Sequence, residues 1–143
     1  MPDILLNFPI NAPIEKVFDA IAKPEGLNQW WTLRSRGEAA TGETYELYFA
    51  ENYDWRATVV EANPPYQFAL KVTEATQDWL DTIVSFSLSE TDGQTKMSFE
   101  HTGWPEDNDH YRSSSFCWAM YLRIMKRFVE NGETIEYGKR LNA

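Results

Sequence analysis

The sequence predicts an α+β fold in which a curved antiparallel sheet wraps around one long C-terminal helix. Three observations carry that prediction. From Tyr45 to His101, apolar and polar residues alternate in successive runs separated by short turns, the pattern of an antiparallel meander with one buried face. From Asn108 to Glu130 the apolar period becomes helical, and Gly132 ends it. Before the meander stand one strand and two short helical segments. A sheet gripping a single helix leaves a groove between them, and a groove implies a ligand.

Each element has a local reason. Ile4 to Ile10 reads as a strand closed by Asn11-Ala12-Pro13. Pro13 at a first helical position and Glu15 in the first turn open a short helix whose apolar face is Ile14, Val17, Phe18 and Ile21. Pro24-Glu25-Gly26 restarts the chain in a second helical piece ending at Trp30-Trp31. In the strands, Tyr45, Leu47 and Phe49 share a face, as do Trp55, Ala57 and Val59. Pro64-Pro65 turns the chain before Tyr66, Phe68, Leu70 and Val72; a strand with Leu80, Thr82, Val84, Phe86 and Leu88 follows. Asp92-Gly93 marks a hairpin, because that pair adopts positive φ at low cost. Thr95, Met97, Phe99 and His101 form the last inner face. On the long helix, Tyr111, Ser114, Ser115, Trp118, Leu122, Met125 and Phe128/Val129 make one stripe, with Arg123 and Arg127 opposite. The stripe is oily in its C-terminal half and carries hydroxyls in its N-terminal half.

Composition narrows the functions. A chain of 143 residues suits one domain over residues 1–143, able to bury roughly 70% of its unfolded surface. The net charge of −9 would repel nucleic-acid backbones and anionic membranes, and Arg123, Lys126 and Arg127 are accounted for by the helix dipole. Neither a nucleic acid nor a membrane is therefore an expected partner. Met1-Pro2-Asp3 lacks a basic leader, and the single Cys117 excludes an internal disulfide, so the expected location is a reducing cytoplasm.

No metal or cofactor is expected. His101 and His110 do not match a zinc spacing with Cys117, and Glu106-Asp107-Asn108-Asp109 lacks the glycine and distal glutamate of a calcium loop. Gly-rich phosphate loops are absent, no inner-face carboxylate pair is present, and Ser113-Ser114-Ser115 is not a nucleophile elbow. An aromatic share of 15% with six tryptophans favours a broad core or an apolar pocket. Strand parity and helical spacing nominate pocket residues: Trp31, Tyr45, Trp55, Phe68, Thr82 and Met97, then Phe99, His101, Trp104, Tyr111, Ser114 and Trp118. Trp79 has the wrong parity to join them. His101 carries three readings: an imidazole satisfied inside the fold, a ligand contact, or a general base.

The chain also resembles a known superfamily. Ala12-Pro13-Ile14-Glu15-Lys16-Val17-Phe18-Asp19-Ala20-Ile21, Pro24 to Trp30, Val59-Val60-Glu61-Ala62-Asn63-Pro64-Pro65 and Gly93-Gln94-Thr95-Lys96-Met97 stand in this order over nearly the whole chain. They resemble the helix-grip fold of the START-like, or SRPBCC, superfamily, and within it the domain related to the activator of the heat-shock-protein-ninety ATPase. Two positions depart from that pattern: Cys117-Trp118 replaces the usual Gly-Trp, and Ala39-Ala40-Thr41-Gly42 lacks a Gly-Gly. The resemblance implies binding of a small apolar or aromatic ligand between sheet and helix. It leaves open a cyclase- or hydrolase-like enzyme using His101, a chaperone-interaction module, and a homodimer; no catalytic residue is assigned.

Overall fold

The structure, a computed structural model, describes residues 2–143. Strand β1 (Ile4–Ile10) leads into helices α1 (Ile14–Ala22) and α2 (Pro24–Leu27). Strands β2 (Arg34–Arg36), β3 (Thr44–Ala50), β4 (Tyr53–Asn63), β5 (Gln67–Glu74), β6 (Ile83–Thr91) and β7 (Gln94–Thr102) follow in series, then α3 (Asp109–Asn131) and a 3₁₀ helix (Tyr137–Asn142). They form a seven-stranded sheet in the order β1-β7-β6-β5-β4-β3-β2, with every pairing antiparallel. The expected α+β architecture is present, with chain-order pairing from β3 to β7 and one long helix against the sheet.

Local chemistry sets the boundaries. Asp92 and Gly93 both have positive φ, as a tight two-residue hairpin requires. Asn108 caps α3 by accepting from the Tyr111 N–H at 2.9 Å, and Gly132 ends it in the left-handed conformation that a side chain resists. Pro13 is the N-cap of α1, one position earlier than expected, and has no side-chain donor or acceptor to cap with. The Ile14 N–H instead donates to Glu90 Oε1 at 2.6 Å, so a strand supplies the missing acceptor.

Period-two burial follows the sequence closely on β7, where Thr95, Met97, Phe99 and His101 are all buried. Two residues assigned to inner faces are corrected. Tyr66 precedes β5 and is exposed, and Leu80 lies in the turn before β6 and is exposed. Neither β2 nor the terminal 3₁₀ helix was expected. Register shifts on both sides of β4, at Tyr48/Ala50 and at Arg56/Ala57 and Val59/Glu61, are the local bends that curve the sheet.

The helix lies across the concave face and fastens the free edge of β1. Tyr111 Oη donates to the Asp3 carbonyl and Lys126 Nζ to the Pro9 carbonyl, both at 2.6 Å, while the Asn11 N–H donates to Glu130 Oε2 at 2.7 Å. These bonds claim edge groups that could otherwise template pairing with another chain. Trp118, Leu122, Ile124, Met125 and Val129 enter the core from α3.

Candidate functional site

The C-terminal half of α3 closes on the sheet, but its N-terminal half stands off from it. The space left there is a hollow of about 410 Å³. Its boundaries are α3, the β3–β4 hairpin, the turn before β6 and the 3₁₀ helix. Trp31, Phe49, Trp55, Trp79 and Trp118 contribute their rings; Tyr53, Tyr121, Tyr137 and Leu141 extend the apolar wall. The polar lining comes from His110, Ser114 and Cys117. A hollow of this size with few polar groups has the make-up of a small-molecule site.

Small residues on α3 make the space. Ser114 and Cys117 lie one turn before Trp118 and Tyr121, so the helix presents short side chains where the sheet presents wide rings. Burial holds the Cys117 thiol and the Tyr121 and Tyr137 phenols above their ordinary pKa values, which keeps this wall uncharged.

Of the sequence-nominated residues, Trp31, Trp55, Ser114 and Trp118 line the hollow. Tyr45, Phe68, Thr82, Met97 and Phe99 do not; they are buried in the packed core behind it. Tyr45 shows why: its hydroxyl bonds to the Ala22 carbonyl and its ring packs on Phe68, so it ties α1 to β3. Trp104 is likewise buried, against the Trp79, His101 and Tyr111 rings, and its indole N–H has no partner among the described residues. Tyr111 is occupied by Asp3 at the β1 edge.

His101 sits directly behind the aromatic wall with no exposed surface. Trp118 Nε1 can only donate, and it lies 3.0 Å from His101 Nδ1, so Nδ1 is the acceptor. The ring proton is therefore on Nε2, which donates to Thr82 Oγ1 at 2.8 Å. The Thr82 hydroxyl in turn donates to the Trp79 carbonyl at 2.6 Å. The relay satisfies every member. Burial, with a smaller contribution from His110, pushes the His101 pKa down to about 3. A neutral imidazole of fixed tautomer thus holds Trp118 against the turn that carries Trp79.

Trp79 corrects the parity argument. It lies outside any strand, in the turn before β6, where alternation does not apply. Its ring stacks on Trp118 at 5.8 Å and meets Trp55 at 5.0 Å, and its N–H reaches Ser114 Oγ at 3.4 Å. His110 Nδ1 on Asp78 Oδ2 at 3.0 Å fastens the same turn to the start of α3. The sequence reading also missed Phe49, Ala50, Tyr53, His110, Cys117, Tyr121, Tyr137 and Leu141. Cys117 and Tyr121 could have been found from their three-residue spacing to Ser114 and Trp118. Tyr137 and Leu141 could not, because their position depends on Arg140, a buried cation held by the carbonyls of Asn28, Thr32 and Ile135.

Among the described residues no cluster of His, Cys, Asp or Glu could hold a metal ion, and no helix is long and apolar enough to cross a membrane.

Comparisons with known proteins agree with this architecture. A family model described as activator of Hsp90 ATPase homolog 1-like protein matches residues 11–130. No curated protein matches the chain. Among solved structures, the Aha1 dimer from Colwellia psychrerythraea superposes with a TM-score of 0.83 at 27% identity, covering 93% of this chain and 99% of that one. Protein MLL2253 from Mesorhizobium loti superposes at 0.82 with 18% identity, covering 92% and 99%. DynU16, a putative protein in the dynemicin biosynthetic locus, superposes at 0.76 with 16% identity, covering 92% of this chain and 48% of its own. The last two are similarities of fold alone.

Proposed function

This chain belongs to the activator of Hsp90 ATPase homolog 1-like family, and from that premise we propose that it binds a small, largely apolar or aromatic molecule between its sheet and the first half of α3. One observation carries the reading: a hollow of about 410 Å³ whose wall is aromatic and whose polar groups are few. Flat apolar ligands gain most from such a wall, and Ser114 and His110 are placed to fix one polar end. A panel of neutral aromatic fragments followed by ligand-detected NMR provides the test. Binders should perturb the Trp55 and Trp79 indole N–H resonances, and Cys117→Leu should weaken the response by narrowing the hollow. Binding unchanged in Cys117→Leu would place the site elsewhere.

An enzymatic role for His101 has little support. A general base needs a free nitrogen near its substrate, and both ring nitrogens are engaged inside the core. A macromolecular partner is the second reading, favoured by exposed Phe116 and Leu141, which border a hollow on the outer side of α3. The family description names an activator of Hsp90 ATPase, and the Colwellia relative is a dimer. Sedimentation of the protein alone and with a purified chaperone distinguishes these partners, and Phe116→Ser should weaken whichever association is seen.

A further inference from the structure

We propose that the ligand of this hollow carries an alkylammonium group, seated against a closed circuit of five aromatic rings. The inference rests on the small-molecule reading above and specifies the chemistry. Trp31 meets Phe49 with ring centroids 5.5 Å apart, Phe49 meets Trp55 at 5.1 Å, and Trp55 meets Trp79 at 5.0 Å. Trp79 meets Trp118 at 5.8 Å, and Trp118 returns to Trp31 at 5.2 Å. All five rings line the hollow. Neighbouring centroids are thus 5.0–5.8 Å apart, so a cation seated between two of the rings reaches both within the ~6 Å over which a cation is drawn to a ring.

The electrostatics around the circuit select the sign of the ligand. No lysine or arginine lines the hollow, so a carboxylate or phosphate placed there would lose its water and gain no counter-charge. Arg140, on the wall formed by the 3₁₀ helix, is held by three backbone carbonyls and lies 5.3 Å from the Tyr137 ring, so a ligand cation belongs at the opposite, hairpin end of the hollow. Arg56 is paired with Asp54 and Glu46. The one lining group able to become cationic is His110, and it already faces the Asp78 carboxylate at 3.0 Å. Glu51 is exposed in the hairpin turn between the lining residues Ala50 and Tyr53. With a net charge of −9 on the whole chain, the surrounding field draws cations and repels anions.

A bare ammonium keeps a tight water shell, whereas a methylated one is large, weakly hydrated and apolar at its surface. That chemistry suits a wall that is mostly aromatic surface, with hydroxyls only at Ser114, Tyr53, Tyr121 and Tyr137. Ser114 and the tyrosines remain available to a hydroxyl or ether elsewhere on the molecule.

Three probes of nearly one shape separate charge from size: choline, its neutral carbon isostere 3,3-dimethylbutan-1-ol, and the anion 3,3-dimethylbutanoate. Each is titrated while the indole N–H resonances of Trp55 and Trp79 are followed. Choline should bind about tenfold more tightly than the alcohol, and the carboxylate most weakly. Trp55→Leu keeps the position apolar but removes one ring; it should cut choline affinity about fivefold and weaken the alcohol clearly less. Phe49→Leu, at a second half-buried position, serves the same purpose if Trp55→Leu does not fold. An alcohol that binds as tightly as choline would overturn the cationic assignment and leave the small-molecule reading standing. If no probe moves either resonance, the assignment is also overturned, and the neutral fragment panel judges the broader reading separately.

Discussion

The two halves of α3 face the same sheet and do opposite things. Leu122, Ile124, Met125 and Val129 in the second half join a closed aliphatic core with Ile10, Val17 and Ile21. In the first half Ser114, Cys117 and Trp118 face Trp31, Trp55 and Trp79 across a hollow. Aliphatic side chains of unequal length interdigitate and reach crystalline density, while large planar rings meet edge to face and short helix residues do not fill what remains. The difference lies in side-chain shape, on one continuous helix with one continuous backbone. Trp118 stands at the boundary, and the His101 relay behind it prevents the ring from swinging into the gap.

Trp118→Ala should produce the largest effect, because it damages both halves. The expected destabilisation is about 3–5 kcal/mol in a urea titration, and the His101 nitrogen loses its donor as well. Met125→Ala probes the closed half alone: about 2–4 kcal/mol of stability should disappear while fragment binding persists. If Met125→Ala abolished binding at equal folded population, the two halves would not be separable.

Acid should act through His101. The unfolded imidazole takes a proton below its ordinary pKa near 6.5, but the folded one refuses it until about 3. Its stabilising contribution is therefore complete above pH 6.5 and is lost as pH falls through that window, with a slope approaching about 1.4 kcal/mol per pH unit. Between pH 7 and pH 5 the expected loss is about 2 kcal/mol, above the range in which ordinary carboxylates titrate. His101→Gln should flatten the profile over the same interval, and an unchanged slope in that variant would assign the effect to another group. The smallest stability change belongs to Cys117→Leu, which narrows the hollow at a cost within about 1 kcal/mol yet should weaken binding.

Much of this division was legible because it is written locally. The Asn108 cap, the Gly132 stop, the Asp92-Gly93 hairpin and the change in the helical stripe from hydroxyls to aliphatics are all decided within a few residues. The inner face of β7 follows from alternation alone. What alternation could not tell is which inward residues meet a cavity and which meet one another. Phe68, Met97 and Phe99 share their parity with Trp55, but only Trp55 reaches the hollow, because packing across the sheet decides the matter. Trp79 was hidden for a different reason. An irregular turn has no period, and this one is positioned by Ser114 and His110, more than thirty residues away. The tail was illegible too, since Arg140 fixes Tyr137 and Leu141 by reaching carbonyls from Asn28 and Thr32 across the fold.

The aromatic circuit also makes the protein its own optical instrument. Four indoles this close to their neighbours should couple their transition dipoles, and a rigid, chiral arrangement should turn that coupling into a far-ultraviolet circular dichroism couplet. Excitation absorbed by one indole should pass to the next, and because Trp30 and Trp104 each lie 6.0 Å from a circuit member, all six tryptophans should share in the emission. An occupant that shifts any one ring retunes them all. Occupancy of the hollow can thus be read in dilute solution with no label attached, and loss of the couplet marks the point at which the open half of the molecule comes apart.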